Sequence, residues 1–316
     1  MYLKENATII PDGLEQLFHY TPSPTTSVSV GKLCELYNGG QLNKTEIEIV
    51  NFLYEFTLGT IDQIYKLFNF KTKEDLKKSL DKLVKFRMLN KFCLVNNERT
   101  YSDDNFVVYC IDMGGASFLK HFKNGEDYQN WKTESIIMPS IKVAKKLTLN
   151  DFYLRLLESC PKKLKMFETR PIIFLGKTRI EPHFSLCVEQ EDKEKFFVGE
   201  VVYNNDVDIY SSGGGRFREK AVRLESLMVT NVWKKNYGNE AVPTLLIIAE
   251  DDETALRVAE IIALTDIPTY RITTLNRMQM KLSDSGAFLS YKDEKLKEIK
   301  TKVFIDEKPK KKKSSQ

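Results

Sequence analysis

Three positions in the second half of the chain have residue types and spacing suited to chemistry on phosphate esters. Glu181-Pro182-His183 opens a segment of alternating apolar residues, Glu200 lies in the next apolar segment, and Lys220 lies in a stretch with helical spacing. Metal-dependent nucleases hold Mg²⁺ with two carboxylates on adjacent strands, and a nearby lysine stabilises charge or activates water. Glu200 suits the second carboxylate position, and Lys220 could supply the ammonium group from a helix.

The first carboxylate position of such a site is occupied by His183. Imidazole is a poor ligand for Mg²⁺ and suits Mn²⁺ or Zn²⁺ better, although Glu181 could add an oxygen. The position two residues after Glu200, where these nucleases carry lysine, is Val202. We therefore predict a vestigial catalytic set without a bound metal, made of Glu181, His183, Glu200 and Lys220.

A purely structural role accounts for the same residues. Glu200 would then be a buried strand carboxylate, paired with Lys220, Arg216 or Arg223. The glycine-rich segment 211–215 could cradle a phosphate with its backbone N–H groups, or it could be an ordinary flexible loop. The chain has no nucleotide-binding P-loop motif and no other catalytic motif. We expect no cofactor, since Mg²⁺ or Mn²⁺ would be required only by a nuclease.

An earlier segment, residues 44–111, predicts three short helices followed by a two-stranded hairpin. Apolar residues recur at helical spacing over 45–56, with Thr45 as the expected N-cap, and again over 60–68. A third helix follows Thr72, which can accept a hydrogen bond from the Asp75 N–H. Strands are predicted over 89–95 and 106–111, joined by a turn at Asn96-Asn97. This order is typical of a winged helix-turn-helix.

Basic and amide side chains of the third helix and the hairpin are the candidate DNA contacts. Lysine near phosphate adds affinity without sequence information, and that affinity falls as salt rises. The alternatives are a solvated lysine face and a winged helix that binds protein. The candidate contacts are Lys73, Lys77, Lys78, Lys82, Lys85, Lys91, Asn96, Asn97 and Arg99.

The remainder of the chain predicts a sheet covered by helices, so the fold class is α+β overall. Helices are expected over 112–122, 149–158 (capped by Thr148 or Asn150), 216–232 and 253–264, and strands over 172–175, 178–189, 195–203, 244–249 and 268–273. The predicted organisation is an arm over 1–40, a winged helix over 41–122, a linker over 123–146, an α/β domain over 147–280 and a charged, lysine-rich tail over 281–316.

Composition limits the class of protein. A net charge of +4 over 316 residues excludes a polycation, so any nucleic-acid site must be local. Five dispersed cysteines without a C-x-x-C pair indicate reduced thiols. No apolar run approaches the length of a membrane span, and residues 1–11 lack a secretion signal. We expect a cytoplasmic protein without membrane contact.

The chain resembles the replication-relaxation family of Gram-positive plasmids and conjugative elements over roughly residues 42–276. The resemblance implies a winged helix followed by a domain similar to PD-(D/E)xK nucleases, and a link to plasmid replication or DNA transfer. The family has Pro-Asp in place of Pro182-His183 and an acidic residue in place of Val202, so we expect a degenerate nuclease-like site. The resemblance rests on the winged-helix pattern, Gly114-Gly115, residues 147–151, Ile180-Glu181-Pro182-His183, residues 196–200, Lys220 and residues 270–275.

The expected function is that of a DNA-binding accessory protein of a mobile element, acting in replication, transfer or its regulation without catalysis. Its expected partners are double-stranded DNA and other replication or transfer proteins. A homodimer is considered because many winged-helix proteins read paired half-sites. The alternatives are a divergent metal-dependent DNA nuclease and a winged-helix scaffold that binds protein.

Overall fold

A computed structural model shows a mixed α+β protein. It describes residues 10, 13–19, 29–95, 106–122, 132–190, 193–208, 215–230, 232–234 and 242–305. The chain divides into two compact units, residues 1–151 (unit 1) and 152–316 (unit 2). The division falls inside one helix, five residues after the boundary expected at 147. None of the described helices combines the length and apolarity needed to cross a membrane.

Unit 1 consists of short helices around one antiparallel sheet. The sheet has the order β1-β3-β4-β2, and every neighbouring pair is antiparallel. The predicted helices and strands of residues 44–111 are confirmed to within about two residues, and the short strand β2 was not predicted. The elements are β1 (Glu15–Phe18), α1 (Val30–Asn38), α2 (Lys44–Phe56), β2 (Leu58–Thr60), α3 (Ile61–Leu67), α4 (Lys73–Lys85), β3 (Leu89–Val95), β4 (Val107–Ile111), α5 (Met113–Phe122) and the start of α6 (Ser140–Ser159).

Side-chain caps determine where the helices of unit 1 begin. Asn43, rather than the predicted Thr45, caps α2, because the helix starts one residue earlier and Glu46 completes the capping box. Thr60 caps α3 in the same way with Gln63. Thr72 accepts from the Asp75 N–H at 3.1 Å, as predicted. Polar residues outside the apolar stripes thus set the start of each helix.

The predicted arm and linker both contain regular structure. β1 pairs with β3, and α1 packs its Tyr37 ring against rings of α5, so much of the segment 1–40 belongs to unit 1. A 3₁₀ turn (Thr133–Ile136) and the first seven residues of α6 fall inside the predicted linker. Asn150 lies within α6 and does not cap it. These elements were missed because their stability comes from pairing and packing with distant residues.

Helix α5 begins in close contact with the backbone that precedes β3. A Cβ at Gly115 would lie 2.2 Å from the Met88 carbonyl oxygen, and one at Gly114 would lie 2.6 Å from that of Arg87. Real Cβ atoms do not approach backbone oxygens so closely, so only glycine permits this approach. The Gly114-Gly115 pair therefore has a packing function.

Unit 2 is built on one seven-stranded mixed sheet with the order β13-β12-β11-β10-β9-β8-β5, and β6 pairs with β7 in a separate hairpin. β9, β10 and β11 are parallel, and the outer pairs are antiparallel. The elements after α6 are β5 (Leu164–Thr169), β6 (Ile173–Leu175), β7 (Thr178–Ile180), β8 (Phe184–Gln190), β9 (Lys193–Val202), α7 (Asn204–Val207), α8 (Arg216–Val229), β10 (Thr244–Ala249), α9 (Asp252–Ala263), β11 (Tyr270–Thr274), β12 (Phe288–Lys292) and β13 (Lys295–Ile299).

The prediction of a charged tail over 281–316 is wrong for the residues that form β12 and β13. β12 and β13 form a hairpin that extends the sheet beyond β11, and Phe288 is fully buried. Exposed charged residues of this hairpin, namely Lys292, Lys295, Lys297 and Glu298, interrupt the alternation that marks a strand. The lysine-rich end, residues 306–316, lies outside the described residues.

Candidate functional site

The exposed face of α4 is the first candidate site. Leu76, Leu80, Leu83 and Val84 are buried on the opposite face, as the sequence predicts, because residues three and four apart share one side of a helix. Four of the predicted contacts remain on the exposed side: Lys73, Lys77, Lys78 and Lys85.

The ion pairs made by this face are weak enough to be exchanged. The Lys73 Nζ atom lies 2.7 Å from Asp62, and the Lys78 Nζ atom lies 3.7 Å from Asp75, with both lysines more than half exposed. Exposed pairs of this kind contribute about 0–1 kcal/mol. A DNA phosphate can therefore replace the carboxylate with little loss of free energy.

Two predicted DNA contacts have internal partners. The Lys82 Nζ atom lies 2.5 Å from Oε1 of Glu46, which is fully buried, and donates to the Gln41 carbonyl at 2.9 Å. Lys91 is buried in β3, with Nζ 3.6 Å from Asp81. These lysines hold elements of unit 1 together, so their ammonium groups are engaged within the fold rather than presented to DNA. Asn96, Asn97 and Arg99 lie outside the described residues.

Glu200 is the centre of the second candidate site. It lies on β9 in the middle of the unit 2 sheet, and its side chain is 1% exposed. The Lys220 Nζ atom is 2.6 Å from Oε2 of Glu200, and Nδ1 of His183 is 2.9 Å from the same oxygen. The structure therefore brings together three of the four residues predicted as a vestigial catalytic set. Lys220, rather than Arg216 or Arg223, is the basic partner of Glu200.

The electrostatics keep Glu200 ionised. Burial raises the pKa of Glu200, but the charges of His183 and Lys220 lower it by more, so its pKa lies below the ordinary value for glutamate. The Val201 N–H donates to Nδ1 of His183 at 2.9 Å, which holds the ring beside the carboxylate.

The Glu200 carboxylate is incompletely satisfied. Its Oε1 atom is buried without a hydrogen-bond partner among the described residues. Its Oε2 atom contacts Lys220 and His183 as an ion-pair partner. Buried carboxylate oxygens normally accept at least one hydrogen bond. The unpartnered Oε1 therefore marks Glu200 as a residue whose role goes beyond core packing.

The side chains around Glu200 do not fit a two-carboxylate metal site. Glu181, the fourth predicted residue, pairs with Arg179 at 2.6 Å and is half exposed. Within the part of the chain that the structure describes, no three His, Cys, Asp or Glu residues are grouped to hold a metal ion. Because His183 has the place of a carboxylate, a magnesium ion would lack its preferred oxygen ligands.

A cleft of about 340 Å³ lies beside this cluster, between β7 and α8. Lys220 connects the cleft to the Glu200 cluster, since it lines the cleft and contacts Glu200. Arg179, another residue of this cleft, was not among the predicted site residues, although its place in an alternating segment near Glu181 is a usable signal. The cleft is lined by Arg179, Ile180, Glu181, Arg216, Glu219, Lys220 and Arg223.

The pKa shift of Glu200 predicts a defined acid sensitivity. A folded-state pKa below the unfolded value of about 4.3 contributes stability that is present above pH 4.3 and is lost as pH falls through the folded-state value. We expect the stability difference between wild type and Glu200→Gln to shrink as pH decreases below about 4.3. Urea unfolding at several pH values, followed by fluorescence of the buried Trp233 in a Trp131→Phe background, measures this difference. A difference that is constant with pH would contradict the assignment.

No protein-family model, curated protein or solved structure matches this chain.

Proposed function

We propose that the protein is a DNA-binding accessory protein of a plasmid or conjugative element, acting in replication, transfer or its regulation. In this proposal unit 1 is a winged helix-turn-helix that binds double-stranded DNA through α4. Unit 2 is a nuclease-like domain that does not cleave DNA. The observation that carries the proposal is the lysine-bearing face of α4, which lies opposite a fully buried apolar stripe.

The connectivity of unit 1 supports a winged helix. Three helices, α2, α3 and α4, are followed by the hairpin β3–β4, and β2 adds to the same antiparallel sheet through β4. In helix-turn-helix proteins the recognition helix lies in the major groove, with flanking basic residues near phosphates. Helix α4 has the corresponding place in the chain, and its lysines have the charge that phosphate contact requires.

The connectivity of unit 2 supports a degenerate nuclease-like domain. Strands β5, β8 and β9 are consecutive and antiparallel in the sheet, and α8 then leads to the parallel strand β10. Glu200 on β9 and Lys220 on α8 supply a carboxylate and an ammonium group in contact. The neighbouring position is held by His183, which favours a domain that contacts DNA without cleaving it.

The decisive experiment measures duplex-DNA binding against salt, using intergenic DNA of the element. For wild type we expect log K to fall steeply with log salt. For Lys77→Gln/Lys78→Gln/Lys85→Gln we expect the slope to decrease by about 2.7, because each neutralised phosphate contributes about 0.9 on duplex DNA. The matched control is Lys32→Gln/Lys44→Gln/Lys120→Gln, which removes the same charge from exposed positions on α1, α2 and α5.

The control separates the alternatives. An equal loss in both triple variants would show that total charge, rather than α4, determines binding. Complete indifference of the wild type to duplex DNA would reject the proposal in favour of a winged helix that binds protein.

The buried Glu200–Lys220 pair favours a second candidate, a divergent metal-dependent nuclease. We expect neither wild type nor Glu200→Gln to nick supercoiled plasmid in Mg²⁺ or Mn²⁺, because the first ligand position lacks a carboxylate. Gel electrophoresis of the plasmid measures this. Metal-dependent nicking by wild type that is abolished in Glu200→Gln, with the fold intact, would replace the proposed non-catalytic role.

A further inference from the structure

The cleft between β7 and α8 concentrates positive charge on one helix face. Arg216, Lys220 and Arg223 are spaced four and three residues apart, so they project from the same side of α8. Arg179 adds a fourth basic group from β7. The helix starts after Gly215 without a side-chain cap, so its positive N-terminal end adds to the same field.

The carboxylates in and beside the cleft neutralise only part of this charge. Glu181 is engaged by Arg179 at 2.6 Å, and Glu219 is the other acidic residue of the lining. Among the described residues, neither Arg216 nor Arg223 forms an ion pair, and both side chains are exposed. Two guanidinium groups are therefore available to bind phosphate oxygens, which suit their planar donor geometry.

A buried carboxylate next to the cleft provides an independent indication of a ligand site. Glu200 is fully buried, with Oε1 unpartnered among the described residues, and its Oε2 lies 2.6 Å from the ammonium group of Lys220, which lines the cleft. The Lys220 side chain is 28% exposed, so it spans the buried carboxylate and the cleft. A buried ionised carboxylate paired with a cation that lines a cleft is a feature of functional sites.

An exposed aromatic ring neighbours Arg179, a residue of the cleft lining. Phe174 on β6 is directly opposite Arg179 on β7, and its side chain is 59% exposed. The adjacent pair, Ile173 and Ile180, is buried and orients the hairpin, so Phe174 and Arg179 share its outer face. Basic grooves flanked by exposed aromatic rings bind single-stranded nucleic acid, because bases stack on the ring while cations contact the backbone.

We propose that this cleft binds the phosphate backbone of single-stranded DNA, with one base stacked on Phe174. The proposal rests on the proposed role in DNA replication or transfer and adds a second, strand-specific contact to it. Duplex DNA suits this site poorly, since its bases are already stacked and cannot reach Phe174 without unpairing.

The test uses the full chain and the fluorescence anisotropy of a labelled oligothymidylate of about 12 nucleotides. This length lies within the site sizes of single-strand-binding OB-fold domains. We expect Arg216→Gln/Arg223→Gln to weaken binding at least tenfold at low salt. The slope of log K against log salt should decrease by about 1.4, because each phosphate contact on a single strand contributes about 0.7. The matched control is Arg218→Gln/Lys162→Gln, which removes equal charge from exposed positions outside the cleft.

The aromatic contact has a different signature. We expect Phe174→Ala to weaken binding about fivefold or more while leaving the salt slope unchanged, because stacking releases no counterions. Val222→Ala, at an exposed apolar position of α8, should bind as wild type does. Cleft variants that match their controls would overturn the proposal.

Two further measurements separate the sources of phosphate and the two proposals. If inorganic phosphate or thymidine monophosphate binds by calorimetry but the oligonucleotide does not, the ligand is a small phosphate and the strand proposal is overturned. The α4 triple variant should retain oligonucleotide binding, and the cleft double variant should retain duplex binding. If wild type binds only one of the two ligands, duplex DNA or the oligonucleotide, then the ligand that it does not bind identifies the proposal that has failed.

Discussion

Replacing Gly199 with alanine is expected to destabilise unit 2 by about 3 kcal/mol, at the upper end of ordinary overpacking effects. Gly199 on β9 pairs with Phe184 on β8, and an alanine Cβ would lie 1.9 Å from the tip of that ring. The ring cannot move aside, since it is fully buried and packed against Phe152 and Phe167. The strand that carries Glu200 would have to shift instead.

Urea unfolding of Gly199→Ala, followed by Trp233 fluorescence in a Trp131→Phe background, measures this loss. Gly31→Ala is the control, because a Cβ there meets nothing within 4 Å, and we expect no destabilisation. Adding Phe184→Leu to Gly199→Ala should recover part of the loss, since the two changes act on one contact. Unchanged stability in Gly199→Ala would contradict the packing of this ring over β9.

Asn150→Ala is expected to destabilise unit 1 by about 3 kcal/mol, the sum of a lost buried hydrogen bond and a small cavity. Its Nδ2 atom donates to the Leu58 carbonyl at 2.6 Å and to Oε1 of Gln63 at 3.3 Å. Gln63 in turn donates to the Leu147 carbonyl and to Asp151. This buried network holds α6 against β2 and α3, and its loss leaves the Leu58 carbonyl without this donor.

Amide hydrogen exchange of peptides covering residues 58–67 measures the effect locally. A loss of about 3 kcal/mol corresponds to exchange roughly a hundredfold faster in Asn150→Ala, provided that these amides exchange by opening of unit 1. Asn51→Ala is the control, since its amide donates to Glu55 at the exposed surface, and we expect little change. Equal protection in Asn150→Ala and wild type would show that the network does not hold these elements together.

Elements with strong periodicity were predictable to within a residue or two. β10 is a continuous apolar run and has its predicted bounds, and α4 has both a cap and an apolar stripe within its own sequence. β12 and β13 were missed, since exposed charged residues interrupt their alternation. β1 was also missed, because its stability depends on pairing with β3, more than seventy residues away.

The candidate sites also contain some contacts that the sequence predicted and others that it could not predict. The grouping of Glu200 with Lys220 was among the sequence-based expectations, and the structure brings them to 2.6 Å. The partner of Lys82 was not predictable, because Glu46 lies on another helix and becomes its partner only when α2 and α4 pack. Lys91 has the spacing of a surface strand residue, and its burial depends on how unit 1 packs around β3.

Residue types and their periodicity determined the α+β character, the order of helices and strands in residues 44–111, and the candidate groups for phosphate chemistry. Only the tertiary structure decided which lysines of α4 face outward, which carboxylate is buried, and that four basic groups line one cleft. The physical reason is distance: periodicity and capping act over a few residues along the chain. Burial and ion pairing instead depend on atoms that folding brings together from distant positions.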